Sequence, residues 1–154
     1  LQSYVAVLGG DTPDASLLQL WRYGYLAADA PRMRTTCERV YEQLGHDGLL
    51  WRYSTSADDG LPPGEGAFGI CSFWGVSCLA AQGEVARAQV HFKRLLAFAN
   101  DVGLYAEQID PASGTALGNF PQAFTHVGLI DAALALQTAT TDKLRHRDGG
   151  DGES

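Results

Sequence analysis

The stretch running from Ala67 to Ala81, AFGICSFWGVSCLAA, is apolar or small on every side. A helix with one polar stripe can lie on a surface, but a helix without one has to be surrounded by other elements. At this length it is too short to cross a bilayer, which takes about 20 apolar residues. It therefore reads as an inner helix of a layered helical protein, spanning about 66–82 and ended by Gly83.

Four further segments read as helices and take their places around it. The first follows Thr12-Pro13, with Thr12 as N-cap and Pro13 at the first helical position, and runs over 14–25. The second begins at Pro31 and carries Met33, Cys37, Val40, Tyr41 and Leu44 on one stripe, with Gly45 as its stop. The fourth, over 84–100, is amphipathic, its stripe being Val85, Ala88, Phe92, Leu95, Leu96 and Ala99. The fifth starts at Asn119-Phe120-Pro121-Gln122 and runs to about 137, with Asp131 as its charged exception. Buried and amphipathic helices thus alternate, which is what concentric layers produce. A four-helix bundle would show a similar stripe on every helix. No fixed-period motif recurs, which disfavours a regular repeat array. The chain is read as all-α, with a helical domain over 1–140 and a polar, unstructured tail over 141–154.

Two long connections, 46–65 and 101–118, lead from amphipathic helices into buried ones and so lie at the same end of the bundle. Loops this long in a compact domain are usually functional or disordered. These contain Trp51, Tyr53, Leu104, Tyr105 and Ile109, so the site is expected there. The first offers Arg52 between two aromatics, the Asp58-Asp59 pair, and Glu65 at the mouth of the inner helix. Either it is a ligand-binding rim, with Arg52 donating hydrogen bonds and Trp51 or Tyr53 stacking on a ring, or it is a hairpin with solvated charges. The second places Glu107 in an apolar frame between Leu104-Tyr105 and Ile109. A carboxylate so framed is either a hydrogen-bonded loop residue or a general acid or base. His126, within a buried helix, reads as a hydrogen-bonded core histidine, and His46, His91 and His146 form no constellation.

Composition narrows the partners. The net charge is −7, and no basic surface exists to neutralise phosphates, so a nucleic-acid partner is excluded and a neutral substrate fits. No apolar run is long enough for a membrane span. Cys37, Cys71 and Cys78 are an odd set without paired spacing and read as small buried hydrophobes, pointing to the cytoplasm. No histidine stands near them at ligand spacing, so neither zinc nor any cofactor is expected. Leu1-Gln2-Ser3-Tyr4 has neither an initiator Met nor a signal peptide, and the chain is read as cut from a longer one.

Six ordered stretches resemble glycoside hydrolase family 15, the glucoamylase, glucodextranase and trehalase-like enzymes. They are Asp14-Ala15-Ser16-Leu17-Leu18, Pro31-Arg32-Met33-Arg34, and Asp47-Gly48-Leu49 through Arg52-Tyr53. Then come Glu65-Gly66-Ala67-Phe68 with Cys71-Ser72-Phe73-Trp74, Gly103-Leu104-Tyr105-Ala106-Glu107-Gln108, and Gly118-Asn119-Phe120-Pro121-Gln122-Ala123-Phe124. The resemblance implies the C-terminal portion of an (α/α)6 barrel, which agrees with the alternation above. It also implies inverting hydrolysis of α-glucosides or oligosaccharides, with Glu107 as the general base and Arg52 and Tyr53 as a substrate-binding pair. Phe124 falls near an aromatic position against the sugar, and Glu65 is counted with the substrate site.

The family's general acid is commonly a Glu after Trp, and no Trp-Glu pair occurs here. Neither Glu65 nor Asp58 matches its motif. The acid is therefore expected upstream, together with the missing half of the barrel, and the isolated chain is expected to be inactive or nearly so. Its apolar inner-helix surface would then be bare and prone to self-association. The main expectation is a glucoamylase-like activity. The alternatives are a trehalase and a catalytically silent module that binds sugar or protein.

Overall fold

A computed structural model describes residues 2–54 and 65–148. It is mainly helical: α1 Pro31–Leu44, α2 Gly69–Ala81, α3 Val85–Leu96 and α4 Ala123–Asp148. Five two-residue strands accompany them: β1 Gly45–His46, β2 Leu49–Leu50, β3 Ala67–Phe68, β4 Gln108–Ile109 and β5 Ala116–Leu117.

The apolar stretch is the centre of the molecule. Ten of the thirteen residues of α2 are buried, and α1, α3, α4 and the segment 15–19 all pack on it. Phe73 is the largest fully buried side chain, meeting Phe92 at 6.1 Å and Tyr105 at 5.7 Å edge-on. Such ring pairs add to the burial of the rings themselves, which is worth roughly 2–3 kcal/mol for each fully buried large apolar side chain. The stripe of α1 lies on this core through Met33, Cys37, Val40 and Leu44. α2 and α3 are joined by a tight reversal in which Gly83 N–H bonds Ala80 C=O at 3.0 Å and Glu84 N–H bonds Leu79 C=O at 2.9 Å. That pattern needs a left-handed residue between the helices, and Gly83 has φ 81°.

Several expectations are corrected. The segment 14–25 is not a full helix: only Ala15–Gln19 forms one short 3-10 turn. Its cap is Asp14 rather than Thr12, with Asp14 Oδ1 accepting Ser16 N–H at 2.7 Å. The chain then breaks through turns to Gly24 at φ 74°. α1 does stop at Gly45, as expected, and Gly45 then opens β1, which pairs with β2 around Asp47 and Gly48. Both turn residues have positive φ, 50° and 92°, as a two-residue hairpin requires. Leu96 is exposed, not part of the buried stripe of α3.

α4 differs most. It begins at Ala123, with Gln122 before it donating its N–H to Tyr105 C=O at 2.9 Å and accepting His126 N–H at 3.4 Å, and it continues to Asp148. Residues 141–148 are thus helical where a structureless tail is expected, and 149–154 lie outside the described residues. Nor is α4 buried all round. Thr125, Ala132 and Leu136 face the core, whereas Phe124, Val127, Ile130 and Leu134 are more than half exposed on another face. No helix among the described residues is long and apolar enough to cross a membrane.

The two long connections do meet at one end. Antiparallel β3 and β4 pair Ala67 with Ile109 and Phe68 with Gln108, and β5 adds to β4. This small sheet joins the end of the first connection to the second, directly over the N-terminus of α2.

Candidate active site

The second connection is fixed residue by residue. Tyr105 C=O accepts from Gln122 N–H, and the buried Thr125 hydroxyl donates to Ala106 C=O at 2.9 Å. Glu107 N–H donates to Asn119 C=O, and Glu107 C=O accepts from Gly69 N–H, both at 2.9 Å. Gly69 opens α2, so one of that helix's otherwise unpaired N–H groups is satisfied by the residue of interest. His126 adds a further tie, its Nδ1 on Gln122 C=O at 2.7 Å and its Nε2 accepting Tyr105 N–H at 3.4 Å. It is bonded structurally, as its position in the sequence suggests.

This backbone frame holds the Glu107 side chain, half-buried, at the edge of a cavity of about 250 Å³. Carboxylate Oε2 accepts from Asn119 Nδ2 at 2.9 Å and from Asn119 N–H at 3.1 Å. Among the described residues Oε1 accepts no hydrogen bond. The same cavity is lined by Arg52, Phe68, Trp74, Gln122 and Phe124. Glu107 is the sole carboxylate among its described lining residues.

Three of the five residues expected at the site therefore share one cavity: Arg52, Glu107 and Phe124. Tyr53 and Glu65 are not among its lining residues, and the Tyr53 hydroxyl donates instead to Glu65 Oε2 at 3.3 Å. Trp51 packs edge-on against His46 at 6.2 Å rather than facing the cavity. Asp58 and Asp59 lie outside the described residues. Trp74, Gln122 and Asn119 enter the site without having been singled out for it. Trp74 was legible only within an apolar run and a resembling stretch, although it shares a helix face with Ile70 and Cys71, four and three residues earlier.

Cys71 also lines the cavity. Burial pushes its thiol up to about 12, with Asp14 adding to the rise and Arg52 opposing it. It therefore stays protonated at neutral pH and offers no nucleophile. No cluster of three His, Cys, Asp or Glu suited to a metal ion occurs among the described residues. A larger groove of about 740 Å³ lies at the other end of α2 and α4, lined by Trp21, Ala81 and Leu134 and crossed by the Arg22–Asp131 ion pair at 2.7 Å. It is mostly apolar and far along both helices from Glu107, so the smaller cavity is the better candidate for chemistry.

Chemically, the smaller cavity offers aromatic faces for the C–H faces of a sugar ring, donors for its hydroxyls, and one fixed carboxylate. One fixed carboxylate is half of the pair that glycoside hydrolases use. Comparison with known proteins reaches the same class and narrows it. The family described as Glycosyl hydrolases family 15 matches residues 2–134, and the chain belongs to that family. It is 50% identical over 127 residues to a trehalase of Mycolicibacterium smegmatis, covering 82% of this chain and 19% of the relative. To a trehalase of Thermoplasma acidophilum it is 38% identical over 137 residues, covering 89% of this chain and 23% of the relative. The chain thus spans about a fifth of the length of these relatives.

Among solved structures, a wild-type glycosidase superposes with a TM-score of 0.75 at 24% identity, over 88% of this chain and 39% of the other. A glycosidase variant in complex with glucose matches equally, at 23% identity. At that level the likeness shows the fold, a portion of an (α/α)6 barrel.

Proposed function

We propose that this chain, within its full-length protein, supplies the general base and one wall of the sugar site of an inverting trehalase. The observation that carries the reading is the Glu107 carboxylate, held on one oxygen and open on the other, at the edge of a cavity with Arg52, Trp74 and Phe124. The names of the similar proteins favour trehalose over the glucoamylase-type substrate that the resemblance put first.

In the proposed reaction Glu107 takes a proton from a water molecule as its oxygen attacks one anomeric carbon. The bond from that carbon to the bridging oxygen breaks, and a general acid protonates the departing glucose. Inverting sites hold the two carboxyls roughly 6.5–9.5 Å apart so that the water fits between them. The acid comes from outside these residues, so the isolated chain is expected to be inactive. Arg52 binds hydroxyls and stays a cation throughout, unable to compete as a base. Phe124 packs on the ring, while Tyr53 and Glu65, paired with each other, act from beside the cavity. The rest of the barrel covers the bare face of α4. The buried free cysteines suit a reducing, cytoplasmic setting.

The test is Glu107→Gln in the full-length protein. It should lower kcat by about 10²–10⁴ on trehalose, the usual contribution of a positioned acid or base. Nascent products should contain α- and β-glucose equally, since one anomeric carbon inverts and the other is untouched. Full activity in the variant would remove Glu107 from the chemistry, and turnover of maltose but not trehalose would return the substrate to the glucoamylase type.

A further inference from the structure

A general base has to be aimed as well as present. A glutamate side chain has three rotatable bonds, and a free carboxylate would spread its two oxygens over many orientations. The structure restricts that freedom from one place, the pair Gly118-Asn119. Asn119 makes three hydrogen bonds with Glu107: its side-chain amide and its own N–H both donate to Oε2, while its C=O accepts Glu107 N–H. Gly118 sits at φ 71°, and a Cβ there would stand 2.8 Å from Oε2 and 3.1 Å from the Glu107 Cβ. Glycine is thus needed both for the turn and for the close approach of backbone to carboxylate.

Asn119 has no comparable structural duty. Its side chain is exposed and makes no other hydrogen bond among the described residues. Nor does it cap α4: the side chain that bonds the start of that helix is Gln122, whose Oε1 accepts Phe124 N–H at 3.4 Å. A neutral amide is also the right chemical choice beside a base. A lysine would pair with the carboxylate and reduce its basicity, and an aspartate would compete for the same proton.

We infer that Asn119 is a positioning residue, which with Gly118 pins Oε2 of Glu107 and leaves Oε1 as the oxygen that takes the proton from water. The inference rests on Glu107 being the base, and the experiment separates the two claims. In the full-length protein, Glu107→Gln, Asn119→Ala and Asn119→Asp are compared for kcat, KM, melting temperature and pH profile on trehalose. Asn119→Ala should lower kcat roughly 10- to 100-fold, the scale of a misplaced catalytic group, with KM and melting temperature little changed. Asn119→Asp keeps the shape and the backbone donor but sets a second carboxylate against the first. It should lower kcat at least as far and move the acid limb of kcat/KM to higher pH, because adjoining carboxylates cannot both ionise readily. An inactive Glu107→Gln beside an Asn119→Ala with kcat within about threefold of the parent, below the loss expected of a misplaced group, overturns the positioning role and leaves the base intact. A fall in kcat matched by loss of melting temperature and a rise in KM also overturns it. Should the alanine variant not fold, an unmoved acid limb in Asn119→Asp does the same. An active Glu107→Gln removes the base, and the inference with it.

Discussion

Gly69 is where the stability of the fold and the geometry of the candidate site depend on the same few cubic ångströms. A Cβ at this position would stand 2.6 Å from Thr125 Cγ2 and 3.1 Å from Thr125 Oγ1. Thr125 cannot easily withdraw. It is fully buried on α4, its helical β-branched side chain has few rotamers, and its hydroxyl holds Ala106 C=O. Overpacking of this kind costs about 1–3 kcal/mol. Alanine recovers at most about 1 kcal/mol of helix propensity, and less at the first residue of a helix. Gly69→Ala should therefore destabilise the chain by about 1–2 kcal/mol, or about 2–8 °C in melting temperature for a domain of this size. Thr125→Ser removes the obstructing methyl and keeps the hydroxyl, at a cost of about 0.8 kcal/mol for one buried carbon. In the Gly69→Ala background it should instead restore stability. Circular dichroism melts and urea titrations of the four proteins in the cycle measure the coupling, expected at about 1 kcal/mol or more. Additive effects, or a Gly69→Ala protein as stable as the parent, would refute the claim that the two helices are locked at this contact.

Two other perturbations probe different surfaces. His91 stacks on Tyr41 at 5.1 Å, with Arg87 and Arg94 on its own helix, Asp47 and His46 on the hairpin, and Glu38 and Glu42 on α1 around it. Burial first, then Arg87 and Arg94, hold its pKa below the ordinary value, so the unfolded chain takes up a proton before the folded one. The stabilisation is complete above about pH 6.5 and is lost as pH falls through the folded value. His91→Phe should flatten the melting-temperature profile across that window, and an unchanged slope would contradict the assignment. The bare face of α4 should make the isolated chain self-associate at micromolar to millimolar concentration in light scattering. Ile130→Asp should return it to monomer with stability altered by no more than about 0.5 kcal/mol, as for other exposed positions. A monomeric parent would count against that face as sticky.

The elements that periodicity read well are those whose faces differ in burial within the chain itself. α1, α2 and α3 carry their partners in these 154 residues, and their apolar patterns match what they touch. α4 is misread as buried all round because apolar residues occupy two of its faces, and only one of those faces packs on the core. Its far end, rich in Thr, Asp, Lys and Arg, looks like a tail by composition, yet helical hydrogen bonding continues to Asp148. Thr12-Pro13 failed as a helix start because tertiary bonds outweighed it. Ala15 N–H goes to Arg52 C=O at 2.8 Å, and Arg22 is drawn to Asp131, so the segment follows its neighbours instead of its own propensity. The hairpin at Asp47-Gly48 was missed inside the long connection, although that dipeptide is a strong local turn signal.

The site divides along the same line. Glu107, Arg52 and Phe124 were expected together because each lies in a stretch that resembles the family, and they do line one cavity. What aims Glu107 was not, because it comes from twelve residues away across a strand and a turn, and from an asparagine whose position before a proline suggests a helix cap. A single sequence records which groups are available, while hydrogen bonds between separated loops decide which oxygen of a carboxylate remains free. The β3–β4 pairing is the step that converts one into the other. It seats the 101–118 connection on the start of α2, and Gly69 N–H then fixes Glu107 C=O, so Glu107 is placed by the most deeply buried helix among the described residues. Loosening that helix at Gly69 and releasing the carboxylate at Asn119 should both disturb Glu107, but only the first should also lower the melting temperature.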